Sequence, residues 1–200
     1  MPRVLSESDV ADFRERLCDA AERLFAEQGP DAVTMRQLAA ELGVSPMTPY
    51  RYFRDKEDIL AAVRTNGFNR FALALETARA GEVDPRAKGA AVGAAYVAFA
   101  FDHPHTYKLM FDLNQPNEAD YPDLVEAGVR ARETMSAYVK DLIAEGVIAG
   151  DPEKVGMMFW AATHGLIVLE LAGRLPPGAA QELFETMGSA LARGLRPETH

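Results

Sequence analysis

Thr34, Ser45 and Tyr50 carry hydroxyls, and Lys56 an ammonium, that can donate to phosphate oxygens. Between them sit Arg36 and Arg51, whose planar donor forks suit a guanine edge, where a bidentate pair discriminates by about 1–3 kcal/mol. Met47 and the Thr48 methyl are of a kind to touch thymine methyls. Phosphate donors, base-reading forks and apolar tips within one short segment would be the chemistry of duplex DNA recognition. Residue types alone serve a second reading as well. The run Tyr50-Arg51-Tyr52-Phe53 could be an aromatic packing cluster with solvated arginines.

Charge narrows the choice a little. The chain carries 21 basic and 30 acidic residues, a net charge of −9, which taken whole disfavours nucleic acid. From Thr34 to Lys56, however, Arg36, Arg51, Arg54 and Lys56 outnumber Glu41 and Asp55, leaving a local excess of +2 and −11 for the rest. A duplex would meet that segment, while the acidic remainder is repelled and orients the molecule.

Other reactive types are sparse. Trp160 and His164, four residues apart, lie on one helical face. They suit either a ligand pocket with His164 as polar anchor or a hydrogen-bonded core or interface position. Phe99, Phe101, Tyr107, Met110 and Phe111 could line the same pocket or simply fill a core. His103 and His105 would need further ligands to hold a metal, and the other histidines are His164 and His200, so neither metal nor cofactor is expected. No nucleophile elbow, phosphate loop or HExxH is present, which argues against an enzyme. The single cysteine, Cys18, falls on an apolar helical position and reads as a packing residue. It permits no internal disulfide, the N-terminus lacks a signal-type apolar run, and a cytoplasmic location is expected. The apolar run from Val155 to Gly173 is interrupted by Thr163, His164 and Glu170, so it reads as a buried helix rather than a membrane span.

The elements that must position these residues are helical. Apolar residues recur at helical spacing throughout, with no sustained strand-type alternation. Val10, Phe13, Leu17, Ala21, Leu24 and Phe25 line a first helix that starts near Ser8 or Asp9 and stops at Gly29-Pro30. Thr34 caps a short second helix ending at Gly43, and Asp55 caps a long one running towards Gly81. Asp84-Pro85, His103-Pro104, the stretch from Asn114 to Pro122, Asp151-Pro152 and the Pro176-Pro177-Gly178 turn divide the remainder into five more. The expectation is an all-α fold of about nine helices.

The stretch Gly43 to Phe53 is the difficult part, because Pro46 and Pro49 stand three apart at the start of a candidate helix. Ser45 can cap it, which puts Pro46 at the first helical position, where its missing N–H is no loss. Pro49 forfeits the regular bond to the Ser45 carbonyl and biases Thr48 away from helical angles, so the first turn must be distorted or tightened. With Pro49 turned to the core, Met47, Thr48 and Arg51 face outward. A short helix, a turn containing Gly43 and a second short helix form a helix-turn-helix, whose second helix enters the major groove by its N-terminal end.

Phe25 to Gly29, Thr34, Leu38-Ala39, Gly43-Val44-Ser45, and Tyr50, Tyr52, Phe53, Lys56 and Glu57 together resemble the TetR family of bacterial transcriptional regulators over roughly residues 9–65. In place of that family's usual Gly-Thr-Leu before the tyrosine, this chain has Met47-Thr48-Pro49. The resemblance adds Tyr52 to the candidate DNA-contacting set. Trp160, His164 and Gly165, with the stretch His103 to Phe111, are similar to a Trp-His-Gly subset of the family. It implies a C-terminal body that dimerises and holds a small-molecule effector.

The organisation expected is a DNA-binding domain over residues 1–56 and a ligand-binding and dimerisation domain over 57–200. The helices around 152–172 and 178–195 are apolar on more than one face, which points to a two-fold homodimer through a four-helix bundle. Two copies of the short reading helix would engage a palindromic operator, and the protein would act as a ligand-responsive repressor. The competing readings are a helical protein-interaction module and an all-α enzyme.

Overall fold

The computed structural model describes residues 6–112 and 118–197. His200 and part of the break before Pro122 lie outside the described residues. Within them are eight α-helices, two 3-10 turns and no strand. The α-helices are α1 (Glu7–Gln28), α2 (Met35–Glu41), α3 (Lys56–Ala80), α4 (Pro85–Asp102), α5 (Pro104–Phe111), α6 (Pro122–Ala144), α7 (Pro152–Leu171) and α8 (Ala179–Gly194). The 3-10 turns are Pro49–Arg51 and Glu118–Asp120. The ninth helix expected from the sequence is the first of these turns.

Side chains fix most helix starts. Ser6 begins α1 rather than Ser8 or Asp9. Its hydroxyl accepts the Asp9 N–H at 3.1 Å, and the Asp9 carboxylate accepts the Ser6 N–H at 3.0 Å, a reciprocal capping box. Thr34 and Gln37 repeat the arrangement at α2, at 3.2 and 2.8 Å. The Asp55 carboxylate accepts the Asp58 N–H at 2.8 Å at the start of α3. Asp84 and Asp151 cap α4 and α7, each followed by proline at the first helical position. The start of α8 has no cap of its own. A carboxylate from α7 serves instead, as Glu170 accepts the N–H groups of Gly178 at 2.7 Å and Ala180 at 2.6 Å. Gly29 ends α1 with φ at 82°, a conformation that favours glycine.

Contacts divide the chain into two compact units. One is Met1–Phe68 with His105–Gly128, and the other is Asn69–Pro104 with Val129–His200. The helix α3 is continuous, and its first half belongs with the N-terminal elements because Ile59, Leu60 and Val63 pack there. That core joins Leu17, Phe25 and Val33 to Leu38 and Phe53. Cys18 is buried in it, and burial pushes its thiol up to about 11, so it stays protonated and inert. In the second unit α7 packs on α8, and α4 packs on both. Ion pairs of Arg130 with Glu76 at 2.6 Å and of Arg79 with Asp141 at 2.7 Å tie α6 to the end of α3.

Candidate nucleic-acid interface

The segment from Ser45 to Phe53 is a tightened turn and not a regular helix. Thr48 N–H donates to the Ser45 carbonyl at 2.8 Å, Arg51 N–H to Thr48 at 3.0 Å and Tyr52 N–H to Pro49 at 3.0 Å, all of 3-10 spacing. Pro49 explains this. It has no N–H to donate to Ser45, so the residue before it donates instead. Thr48 itself adopts helical angles, φ −63° and ψ −47°, against the bias that a following proline imposes. The bonds on either side of it hold it there.

The turn is seated from below. Pro49 and Phe53 are buried, as Pro49 was expected to be. The Tyr52 ring stacks on Phe13 with centroids 4.2 Å apart, so Tyr52 supports the turn with half its surface. Arg14 reaches across from α1, its guanidinium 4.0 Å over the Phe53 ring and its N–H donating to the Tyr52 carbonyl. Sequence reasoning missed Arg14, since nothing in its local pattern says which distant carbonyl it meets.

What remains above is polar and exposed. Met47 is 68% exposed and Tyr50 49%, and Ser45 and Arg51 in the same segment and Arg36 on α2 are exposed as well. The guanidinium groups of Arg36 and Arg51 have no partner among the described residues. Arg54, in contrast, is paired with Asp58 at 3.2 Å. Burial raises the Asp58 carboxyl, but the hydrogen bonds and charge of Arg54 outweigh that and hold it below the usual carboxylate range. Among the described residues, the positive charge of the segment that has no partner is therefore on the two arginines. Thr34 is exposed, with its hydroxyl engaged in the cap of α2. The Lys56 ammonium donates to the Pro30 carbonyl at 2.6 Å and the Asp31 carbonyl at 3.4 Å, so it anchors the loop after α1. Thr48 is half-buried with the turn.

The seven residues considered for a pocket occupy different settings, Phe101 being partly buried on α4. Tyr107 and Met110 are fully buried in the first unit, and Phe111 stands edge-on to Phe68. Phe99 packs against Phe71 in the second unit. Trp160 donates its indole N–H to the Tyr96 hydroxyl at 3.2 Å, and its ring lies 5.8 Å from that of His164. Burial holds the His164 imidazole below its ordinary value, which keeps it neutral at pH 7. Trp160 borders a small space that it shares with Tyr138, Phe159 and Phe184. No cluster of three or more metal-ligating side chains occurs among the described residues.

An exposed surface with two arginines free of partners among the described residues, on a helix-turn-helix carried by an all-α body, fits the class of helical DNA-binding regulators. Residues 17–63 match the bacterial regulatory proteins of the tetR family, and residues 90–191 match the tetracyclin repressor-like C-terminal domain. The chain belongs to the TetR family. It is 26% identical to an uncharacterised HTH-type transcriptional regulator of Mycobacterium tuberculosis, over 93% of this chain and 83% of that one. Among solved structures it resembles a protein of unknown function from Rhodococcus sp. RHA1, with a TM-score of 0.82, 31% identity and coverage of 98% and 100% of the two chains. It shares its fold with the ketosteroid transcriptional regulator KstR2 of Mycobacterium tuberculosis, at a TM-score of 0.66, 20% identity and 98% coverage of each chain. No helix among the described residues is long and apolar enough to cross a membrane.

Proposed function

We propose that this DNA-binding transcriptional regulator is a ligand-responsive repressor that engages a palindromic operator as a homodimer in the cytoplasm. The observation that carries the reading is the exposed surface of α2 and the Pro49–Arg51 turn, where Arg36 and Arg51 lack partners among the described residues. Arginines left unpaired over a seated turn suit base edges, and the hydroxyls of Tyr50 and Ser45 beside them suit phosphates. Residues 1–56 would then form the DNA-binding part, and residues 57–200 the ligand-binding and dimerising part. Thr34 and Lys56 contribute by holding α2 and the loop after α1; the Thr34 hydroxyl and N–H both donate to Gln37, while the Lys56 ammonium, with two of its three protons on carbonyls, keeps one for phosphate.

Exposed apolar residues support the dimer. On α7, Met157, Met158, Val168, Leu169 and Leu171 are exposed, as is Leu183 on α8. Met157 and Val168 lie about three helical turns apart, and so do Met158 and Leu169, which gives two parallel apolar lines on adjacent sides of α7 that together make a broad apolar band. A second copy of the chain would cover it as a four-helix bundle. One short turn reads few base pairs, whereas two related by a dyad read a palindrome with half-sites about 34–36 Å apart, or a multiple. Ligand would bind one conformation preferentially, and α3 would alter the separation of the two reading turns. A shift from 1:99 to 99:1 requires a difference of about 5.5 kcal/mol between the states.

Selection of bound fragments from the source genome, followed by gel shift on the selected site, tests the reading. The expected product is a palindrome bound by a dimer. Asymmetric sites bound by a single chain would contradict it.

A further inference from the structure

The second unit contains a cavity of about 480 Å³ between α4, α6, α7 and α8. That size lies within the range of small-molecule sites, roughly 300–1,000 Å³. Its walls are apolar, with Leu142, Ile148, Phe159 and Phe184 prominent. Three exposed arginines also line it, Arg86 from the first turn of α4, Arg193 from the last turn of α8 and Arg196 just past its end. Their guanidinium groups have no ionic or hydrogen-bonding partner among the described residues. Glu185 is the one acidic side chain among the lining residues, so the arginines leave the site positive. Every other arginine discussed in the second unit is paired, Arg79 with Asp141 and Arg130 with Glu76. Tyr138 adds a hydroxyl that likewise has no partner among the described residues.

Apolar walls beside unpaired guanidinium groups are complementary to an amphipathic anion. We infer that this cavity is an effector site for a molecule with an apolar body and a carboxylate or phosphate head. Guanidinium forks bind either head bidentately, while the walls shed water onto the apolar body. The ligand class rests on the ligand-responsive reading above, and the site lies on α7 and α8, the helices assigned to the dimer. Phe184 couples the two, since it lines the cavity and its ring lies over Gly93, where an added Cβ would stand 2.0 Å from the ring tip. An occupant that moved Phe184 would move α8.

The test titrates decanoate, decyl phosphate, decanol and decylammonium into the full-length protein below micellar concentrations. Calorimetry and the fluorescence of Trp160, the one tryptophan, report binding. One site per chain is expected, with at least tenfold tighter binding of an anion than of decanol and none of decylammonium. The tighter of the two anions assigns the head group. Arg86→Ala with Arg196→Ala should weaken the anion at least tenfold and leave decanol unchanged, and lysine at both positions should restore part of the loss. Thermal melts without ligand establish that the variants fold. Equal affinity for decanol and the anions, no saturable binding by any probe, or indifference to the arginine changes would overturn the site. Operator release is scored separately. Anion binding without release leaves the site standing and removes ligand-responsive repression. Release by an anion whose effect ignores both arginines removes the site and leaves repression standing.

Discussion

Arg51 and Tyr50 adjoin in sequence but have different work on the proposed interface. Arg51 is proposed to read a base edge, so Arg51→Ala should relax base preference at one position per half-site and cost about 1–3 kcal/mol on the preferred sequence. A selection profile unchanged from the parent would remove it from the base readers. Tyr50 is proposed to donate to a phosphate, so Tyr50→Phe should weaken all sequences alike by about 0.5–1.5 kcal/mol, measured on operator and scrambled duplexes. His164 makes a prediction about pH. Burial depresses its folded-state value below the ordinary 6.5, so between those values the unfolded chain binds more protons. Its contribution is therefore fully present above about 6.5 and is lost as pH falls through the folded value. Replacing His164 with Gln should flatten the denaturant midpoint against pH across that interval, and an unchanged slope would show that other groups set it.

At the scale of elements, glycine and proline decide more than propensity does. Pro49 converts the reading helix into a 3-10 turn. Pro49→Leu restores a donor to the Ser45 carbonyl, so a regular first turn should form and the preferred operator should change, as read by fragment selection. The same operator for both would show that the turn adapts on binding. Gly93 carries the ring of Phe184, and Gly93→Ala should cost about 1–3 kcal/mol by overpacking. Phe184→Leu in the same chain should return part of it, a coupling that urea titration of the double cycle measures. Much of this scale was legible in the sequence. The caps at Thr34, Asp55, Asp84 and Asp151 signal locally, because a short polar side chain meets an N–H two or three residues on. The regularity of the reading helix was not legible, since Pro49 allowed several distorted turns and only the bond from Thr48 to Ser45 selects one. Arg14 and Glu170 were not legible either. Each satisfies a backbone group in another element, and no short-range pattern names the partner.

For the whole molecule, the apolar band of α7 is the feature that a single chain leaves uncovered. Met158→Glu with Leu169→Glu would place like charges across the proposed dyad. Sedimentation should then find a dimer for the parent and a monomer for the variant, with operator affinity reduced at least tenfold through loss of the paired contact. The charge distribution bears on the same scale. A chain of net −9 binds a polyanion only through a restricted face, and the proposed face carries two arginines with no partner among the described residues. The sequence showed the local excess of positive charge. It did not show that Arg54 is spent on Asp58 or that Lys56 is held by Pro30 and Asp31, which needed the fold. Candidate pocket residues were the least legible. An aromatic at helical spacing serves a core and a cavity equally well, and the cavity observed is lined chiefly by α4, α6 and α8 residues of no distinctive pattern.

The most direct measurement is the affinity of the full-length protein for its selected operator as a function of salt, for the parent and for Arg36→Ala with Arg51→Ala. Binding should weaken steeply with salt, and the double variant should lose at least tenfold in affinity while its melting temperature is unchanged. Salt-independent binding, or an operator affinity that survives loss of both arginines, would contradict the assignment of this surface to DNA.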